Sequence, residues 1–261
     1  MKNNSTYKIL KNSSLVIYVS LTVFPLVSLI YTSLKFKGIE NYVNAITKIN
    51  LGLNISNSFM VAILTVILIL TITLPAGFAF SKIHFEMKNT LYTLILLSLM
   101  IPGVCIAIPV TKIIVGLQLI NNHLSLVLVY SALATPFFLV LTRSFIDQLP
   151  NELIEASIID GCSTFKAFIL IILPLSKPIA SIICVLGFLQ SWNEFLFAML
   201  FMKKTSLQMV TTVPILFQAD FVTNVPAMFA ALVLIQLPLV IIFIIFQKAF
   251  KTGLTAGAVK G

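Results

Sequence analysis

The chain has 261 residues, of which 59% are hydrophobic and 10% charged, and it carries a formal net charge of +9 at pH 7. So much apolar surface excludes an ordinary soluble domain and places the protein in the membrane class. The positive charge does not indicate a nucleic-acid partner, because the basic residues are scattered between apolar runs and form no patch interleaved with aromatics.

Lys2, Lys8 and Lys11 precede an apolar run from Leu15 to Leu34. It is longer than a signal-peptide core and no A-x-A-like cleavage site follows, so a retained first membrane helix is expected, with Pro25 inside it. Residues 35–57 are polar, with Lys35, Lys37, Glu40 and Lys48, and form a loop long enough to carry a short surface helix. Ser58 to Phe80 is uncharged and exceeds the roughly 20 residues that cross a bilayer. A short charged break at Ser81–Asn89 leads to Leu91–Val115, interrupted by Pro102, Gly103 and Pro109. Leu124–Leu141 follows and ends near Arg143, and an elbow occupies residues 147–177. Pro178 opens a fifth span running to about Met202, Lys203–Pro226 is a second polar connection containing Asp220, and Ala227–Phe246 makes a sixth.

The expected fold class is therefore an all-α membrane protein of one domain. Its six transmembrane helices fall at about 15–34, 58–80, 91–115, 124–142, 178–202 and 227–247, with a tail at 248–261. Six spans put both termini on one side. That side holds Lys2, Lys8, Lys11, Lys82, Lys88, Arg143, Lys166, Lys177, Lys248, Lys251 and Lys260, eleven basic residues against six elsewhere, so it is expected to be cytoplasmic.

No chemistry of its own is visible. Cys105, Cys162 and Cys184 lack C-x-x-C spacing, His84 and His123 lie far apart, and no G-x-x-x-x-G-K-[ST] loop occurs, so neither a metal site nor nucleotide hydrolysis is expected on this chain. An intramembrane hydrolase would need paired catalytic groups at similar depth, and only Glu194 is placed in a span. A self-contained secondary transporter remains an alternative, although the inverted repeats usual in that class are not found.

Four of the eight acidic residues, Asp147, Glu152, Glu155 and Asp160, lie in or beside the elbow. Pro150 and Asn151 suit a first helical turn, with Glu152 and Glu155 near the positive end of its dipole. Gly161 supplies a left-handed stop, and Ser163 or Thr164 caps a second helix that Pro174 is expected to end. The order Glu155-Ala156-Ser157, three residues, Gly161, nine residues, Ile171-x-Leu173-Pro174 resembles the cytoplasmic signature loop of permease subunits in ATP-binding-cassette importers. The family usually has Ala where Ser157 stands. The closing Gly253-Leu-Thr-Ala-Gly-Ala-Val-Lys-Gly261 is similar to the end of the carbohydrate-uptake class, specifically its maltose-type six-span partner.

This resemblance implies a permease that moves a sugar or related polyol by alternating access, in the bacterial cytoplasmic membrane. An importer permease for a non-carbohydrate solute is a further alternative, after the secondary transporter. The implied partners are a homologous second permease, two ATP-binding subunits that hold the ATP and Mg, an extracytoplasmic solute-binding protein and the lipid bilayer. It assigns Glu155, Ala156, Ser157, Asp160, Gly161, Ile171, Leu173 and Pro174 to ATPase coupling through a so-called coupling helix. It also assigns Gly253 and Gly257 to a tail that reaches the ATPases. From the residues themselves, Gln190, Asn193 and Glu194 share a helical face with Phe197 and, with Trp192 or Phe195 as an aromatic platform, could line a substrate pathway. Glu194 could equally bond a partner helix and shape a gate.

Overall fold

The computed structural model describes residues 3–48, 50–219 and 224–258. Among them the helices are α1 (Asn3–Ser33), α2 (Glu40–Lys48), α3 (Leu51–Lys82), α4 (Lys88–Ser98), α5 (Ala107–Gly116), α6 (His123–Asp147), α7 (Glu152–Ile159), α8 (Thr164–Ala167), α9 (Leu173–Leu175), α10 (Lys177–Asn193), α11 (Leu196–Phe201), α12 (Val213–Ala219) and α13 (Val225–Ala258). A π turn, Phe168–Ile172, joins α8 to α9. The fold is all-α, and several of its helices suit a bilayer. Four are long and apolar enough to cross one: Lys11–Ser33, Leu51–Lys82, His123–Asp147 and Val225–Ile245. The pair Thr164–Leu175 and Lys177–Asn193, bent by 69°, makes a fifth if taken as one span.

The stretches expected at 58–80 and 124–142 lie inside two of those helices, and those at 15–34 and 227–247 overlap the other two, running one and two residues past them. The other two differ. The stretch 91–115 is not one helix: α4 stops at Ser98, and α5 restarts at Ala107. Pro102, which has no amide to donate, lies in the gap, while Pro109 falls in the first turn of α5, where an amide would be unbonded anyway. The stretch 178–202 is also broken, because Glu194 is extended at φ −72 and ψ 126 between α10 and α11. Nor does Pro174 end the elbow's second helix, which continues through it to Leu175. A proline cannot donate to the carbonyl four residues back, and the π turn just before it takes up the changed bonding register. At the C-terminus, helix α13 carries residues 248–258, including Gly253 and Gly257; Gly261 lies outside the described residues.

By internal packing the chain divides into two units, Met1–Gly52 with Val213–Pro238 and Leu53–Thr212 with Leu239–Gly261. In the first, the described apolar side chains of α1 are exposed nearly all round, the pattern of a helix surrounded by lipid or by other helices. The joint between α1 and α2 is polar. The buried Asn41 amide donates to Ser33 O and Lys35 O, both at 2.9 Å, and the Ser33 and Tyr42 hydroxyls share a hydrogen bond of 2.6 Å. The loop expected at 35–57 thus holds its short helix, α2, but ends early because α3 begins at Leu51.

The second unit has two apolar cores along α6. Leu126, Val127 and Tyr130 pack with Val61 of α3, Ile114 of α5 and Phe197 and Phe201 of α11. Further along, Ala134, Phe138 and Ile146 pack with Ile69, Leu74 and Phe78 of α3, Phe168 and Ile172 of the π turn, and Ile179 and Ile183 of α10. Helices α3 and α6 approach closely at Gly77, where an added Cβ would lie 2.5 Å from Thr142 Cγ2 and 3.3 Å from Arg143 N. Thr142 has little freedom to yield, since its hydroxyl donates to Phe138 O at 2.7 Å. Gly77→Val is therefore expected to cost about 1–3 kcal/mol through overpacking, read as a lower thermal-unfolding midpoint in detergent. Gly52→Ala, with no atom within 4 Å of the added Cβ, should leave the midpoint within experimental scatter.

Candidate functional site

The elbow is built from two helical pieces and a closed turn. Helix α7 ends in a Schellman turn: the Cys162 amide donates to Ser157 O at 2.9 Å and the Gly161 amide to Ile158 O at 3.0 Å. Gly161 stands at φ +83 with open space around it, so glycine is required here by the backbone and not by crowding. Ser163 then caps α8, its Oγ accepting from Lys166 N at 3.3 Å. In α7 only Ser157 is buried, and its hydroxyl donates to Ile154 O at 2.7 Å. Serine is accommodated there because its polar atom bonds within its own helix. Glu155, Ala156, Asp160 and Pro174 are exposed, and Ile171 and Leu173 are half-buried. Two large apolar side chains also stand open: Ile159 is 85% exposed and Phe165 71%.

The root of the elbow is held by polar contacts to the end of α3. Lys82 Nζ donates to Leu149 O and to Asn151 Oδ1, both at 2.7 Å. Ser81 Oγ donates to Asp147 Oδ1 at 2.6 Å, Arg143 Nε lies 3.5 Å from Asp147 Oδ2, and the Arg143 guanidinium stacks over Tyr92 at 3.9 Å from the ring centre. Beyond the elbow the chain bends at Ser176, whose Oγ donates to Ile172 O at 2.7 Å, and α10 begins.

At the far end of α10 the expected shared face is divided by the break. Gln190 and Asn193 are exposed and Glu194 is half-buried, whereas Phe197, on the next helix, is buried in the core. Trp192 is only 2% exposed and stacks on Phe188 at 5.4 Å, so it does not present the open platform expected of it. Phe195 is exposed. The Glu194 carboxylate turns to the start of α11, accepting from Phe197 N at 3.1 and 3.2 Å and from Ala198 N at 3.3 Å. Its backbone carbonyl accepts from Thr211 Oγ1 at 2.8 Å.

Beside this break lies a cavity of about 30 Å³ lined by Thr65, Tyr130, Gln190, Ser191 and Glu194, with Ile69, Leu133, Ala134 and Gly187 completing its wall. The buried hydroxyls of Thr65, Tyr130 and Ser191 have no hydrogen-bond partner of standard geometry among the described residues. Tyr130 is near enough to Glu194 for the two to interact electrostatically. The volume suffices for a water-sized guest with several polar partners. Among the described residues no group of three or more His, Cys, Asp or Glu could hold a metal ion.

The connection after α11 is clamped by residues that sequence reasoning missed. Asn121 Oδ1 accepts from Lys203 N and Lys204 N at 2.7 and 2.9 Å, and Asn57 Nδ2 donates to Ser206 O and Gln208 O at 3.0 and 3.2 Å. Ser58 Oγ accepts from Val210 N at 2.9 Å, and His123 Nε2 shares a bond of 3.0 Å with Leu207 O. The available signal was amide and imidazole residues at the ends of apolar runs, which is weak without knowledge of what they face. The Glu194 cap leads to a direct measurement. Glu194→Ala should lower stability by about 1 kcal/mol, as loss of a cap does, and Glu194→Gln, which keeps an oxygen acceptor, by less; thermal unfolding of the two variants compares them.

Residues 72–255 match the family described as the binding-protein-dependent transport system inner membrane component. The chain is 31% identical over 254 residues to the sulfoquinovosyl glycerol transport system permease protein SmoH of Agrobacterium fabrum (strain C58), covering 92% of this chain and 89% of that one. It is 35% identical over 230 residues to the trehalose/maltose transport system permease protein MalG of Thermococcus litoralis, covering 85% and 81%. With the melibiose/raffinose/stachyose import permease protein MelC of Bacillus subtilis it shares 28% over 251 residues, 91% of each chain. A chain of a bacterial ABC transporter involved in the import of the acidic polysaccharide alginate has the same fold, with a TM-score of 0.84 at 16% identity over 95% of this chain and 98% of that one. Apolar spans, a capped elbow between α6 and α10 and these relationships together carry one conclusion: the chain is a multi-pass membrane permease subunit of the binding-protein-dependent transport system inner membrane component family, and so not itself an enzyme.

Proposed function

We propose that this permease carries a sugar or related polyol inward by alternating access, powered by ATP that binds with Mg to two separate subunits. A homologous second permease completes the pathway, and an extracytoplasmic binding protein delivers the solute. The sugar class is supported by the names of the relatives, which give trehalose and maltose, melibiose, raffinose and stachyose, and sulfoquinovosyl glycerol. Both termini and the elbow are on the cytoplasmic side in this proposal, in keeping with the distribution of basic residues.

The observation that carries the proposal is the exposure of Ile159 and Phe165 on an elbow that also displays Glu152, Glu155 and Asp160. Large apolar side chains left open beside charged ones on a short surface element mark an interface. Glu155, Ala156 and Gly161 would seat α7 in an ATPase cleft, Ser157 would keep its inner face small, and Ile171, Leu173 and Pro174 would pass the motion on to α10. Gly253 and Gly257 on α13 would allow the tail's backbone close to the ATPases. Gln190, Asn193 and Glu194 at the broken helix, with the hydroxyl-lined cavity next to them, offer the carboxamide, carboxylate and hydroxyl groups that a polyhydroxylated solute needs. Irregular backbone beside a polar cavity is where transporters place binding groups.

The experiment is uptake together with co-purification. Ile159→Asp should weaken retention of the ATPase about thirtyfold or more, as loss of a central anchor of about 2 kcal/mol does, and Ala156→Arg should abolish uptake while insertion into the membrane is unchanged. Uptake and ATPase retention at the unsubstituted level in both variants would overturn the coupling role. Transport by this chain reconstituted alone would favour the secondary-transporter alternative.

A further inference from the structure

Beside the root of the elbow, with which it shares Arg143, lies an open polar pocket of about 520 Å³ lined by His84, Phe85, Met87, Lys88, Asn89, Thr90 and Arg143. Two of its side chains are cationic and none is acidic. Lys88 Nζ donates to Ser81 O at 3.3 Å and Ile83 O at 3.0 Å, which leaves one of its three protons available. Arg143 has its Nε side near Asp147 and one face on Tyr92, and its side chain remains 24% exposed. Arg143 Nε is buried and meets Asp147 as an ion pair without hydrogen-bond geometry. Asp147, the one carboxylate beside the guanidinium, has an oxygen already taken by Ser81. Glu86, the other nearby acid, is exposed and not part of the wall. The pocket thus keeps net positive charge together with the uncharged polar groups of Asn89 and Thr90, a setting suited to a phosphate.

What surrounds it identifies the phosphate's owner. Met87 and Phe85 stand exposed at the rim, and Leu91, Leu94 and Leu97 make an exposed apolar ridge along α4, running away from the pocket in steps of three residues. A soluble anion gains nothing from that ridge, whereas acyl chains can lie along it. From the pocket and ridge we infer that this is a binding site for the headgroup of an anionic phospholipid at the membrane boundary, with Lys88 and Arg143 on the phosphate and the acyl chains against α4. The site concerns the lipid around the permease and does not depend on what the permease transports.

The test uses the delipidated full-length chain in mild detergent, with native mass spectrometry of bound lipid. Dioleoyl phosphatidylglycerol, dioleoyl phosphatidylcholine and inorganic phosphate are the probes. Phosphatidylglycerol should bind more tightly than phosphatidylcholine, and Lys88→Gln should weaken it about fivefold, the worth of one cation at a membrane surface. Inorganic phosphate at the lipid's concentration should not displace it. If Lys88→Gln lowers the thermal midpoint, Asn89→Leu replaces it and should also weaken binding. Equal binding of the two lipids, or affinity unchanged in the variant, overturns the site; displacement by inorganic phosphate assigns the pocket to a free anion and overturns the lipid.

Discussion

The elbow depends on the way its root is tied to α3. An eight-residue helix with one buried side chain has little packing of its own, and helices that short are marginal in water. What positions it is the run Ser81–Asp147–Arg143–Tyr92, together with Lys82 on Leu149 O and Asn151. Hydrogen bonds to charges are stronger than neutral ones, and that of Lys82 to Leu149 O is partly buried, whereas Asp147 and Asn151 are exposed to solvent. They tie the start of the elbow and the last turn of α6 to the end of α3.

Along the apolar helices the polar groups follow one economy. Thr71, Thr111, Ser131, Thr135, Thr142 and Ser181 each donate a hydroxyl to a carbonyl three or four residues earlier. A hydroxyl bonded in this way adds no unmet demand in hydrocarbon. The contrast with Thr65, Tyr130 and Ser191 is informative. Those three hydroxyls are buried without such partners, and all three line the one small cavity beside the α10–α11 break. Asn54 and Thr73 of α3, Arg143 of α6 and Trp192 of α10 also keep a buried polar atom without a hydrogen-bond partner, but the cavity gathers three such groups together.

Much of this was legible before any coordinates. Four helices long and apolar enough to cross a bilayer follow from the length of uncharged runs, and the elbow's turn from Gly161, Ser163 and the clustered acids, because each of those signals is local: a left-handed φ, a side-chain cap, a helix dipole. The misses share a cause. Nothing near Leu51 in sequence says that α3 starts before the longest apolar run, since its first turns are Asn- and Gly-containing and gain their support from packing. Glu194 looked like a group within a span. It is a cap, which becomes visible only once α10 is seen to stop at Asn193 and α11 to need amide acceptors. Asn57, Asn121 and His123 could not be assigned at all, because their partners lie about 80 to 150 residues away. Pro174 misled for a different reason: a proline usually stops a helix, but here one wide turn ahead of it lets the helix pass.

That wide turn has a consequence for the evolution of the segment. A π turn carries one surplus residue, and removing any one of Phe168–Ile172 would let the ladder close as ordinary α-helix. The wide turn has already taken up that residue's roughly 100° of rotation. Everything upstream, with Ser163, Gly161 and α7, would therefore keep nearly its present side of α10 after such a deletion, and would be swung away by one made elsewhere between the glycine and the proline. Loss of a residue should accordingly be tolerated within the wide turn more readily than in the helix on either side of it.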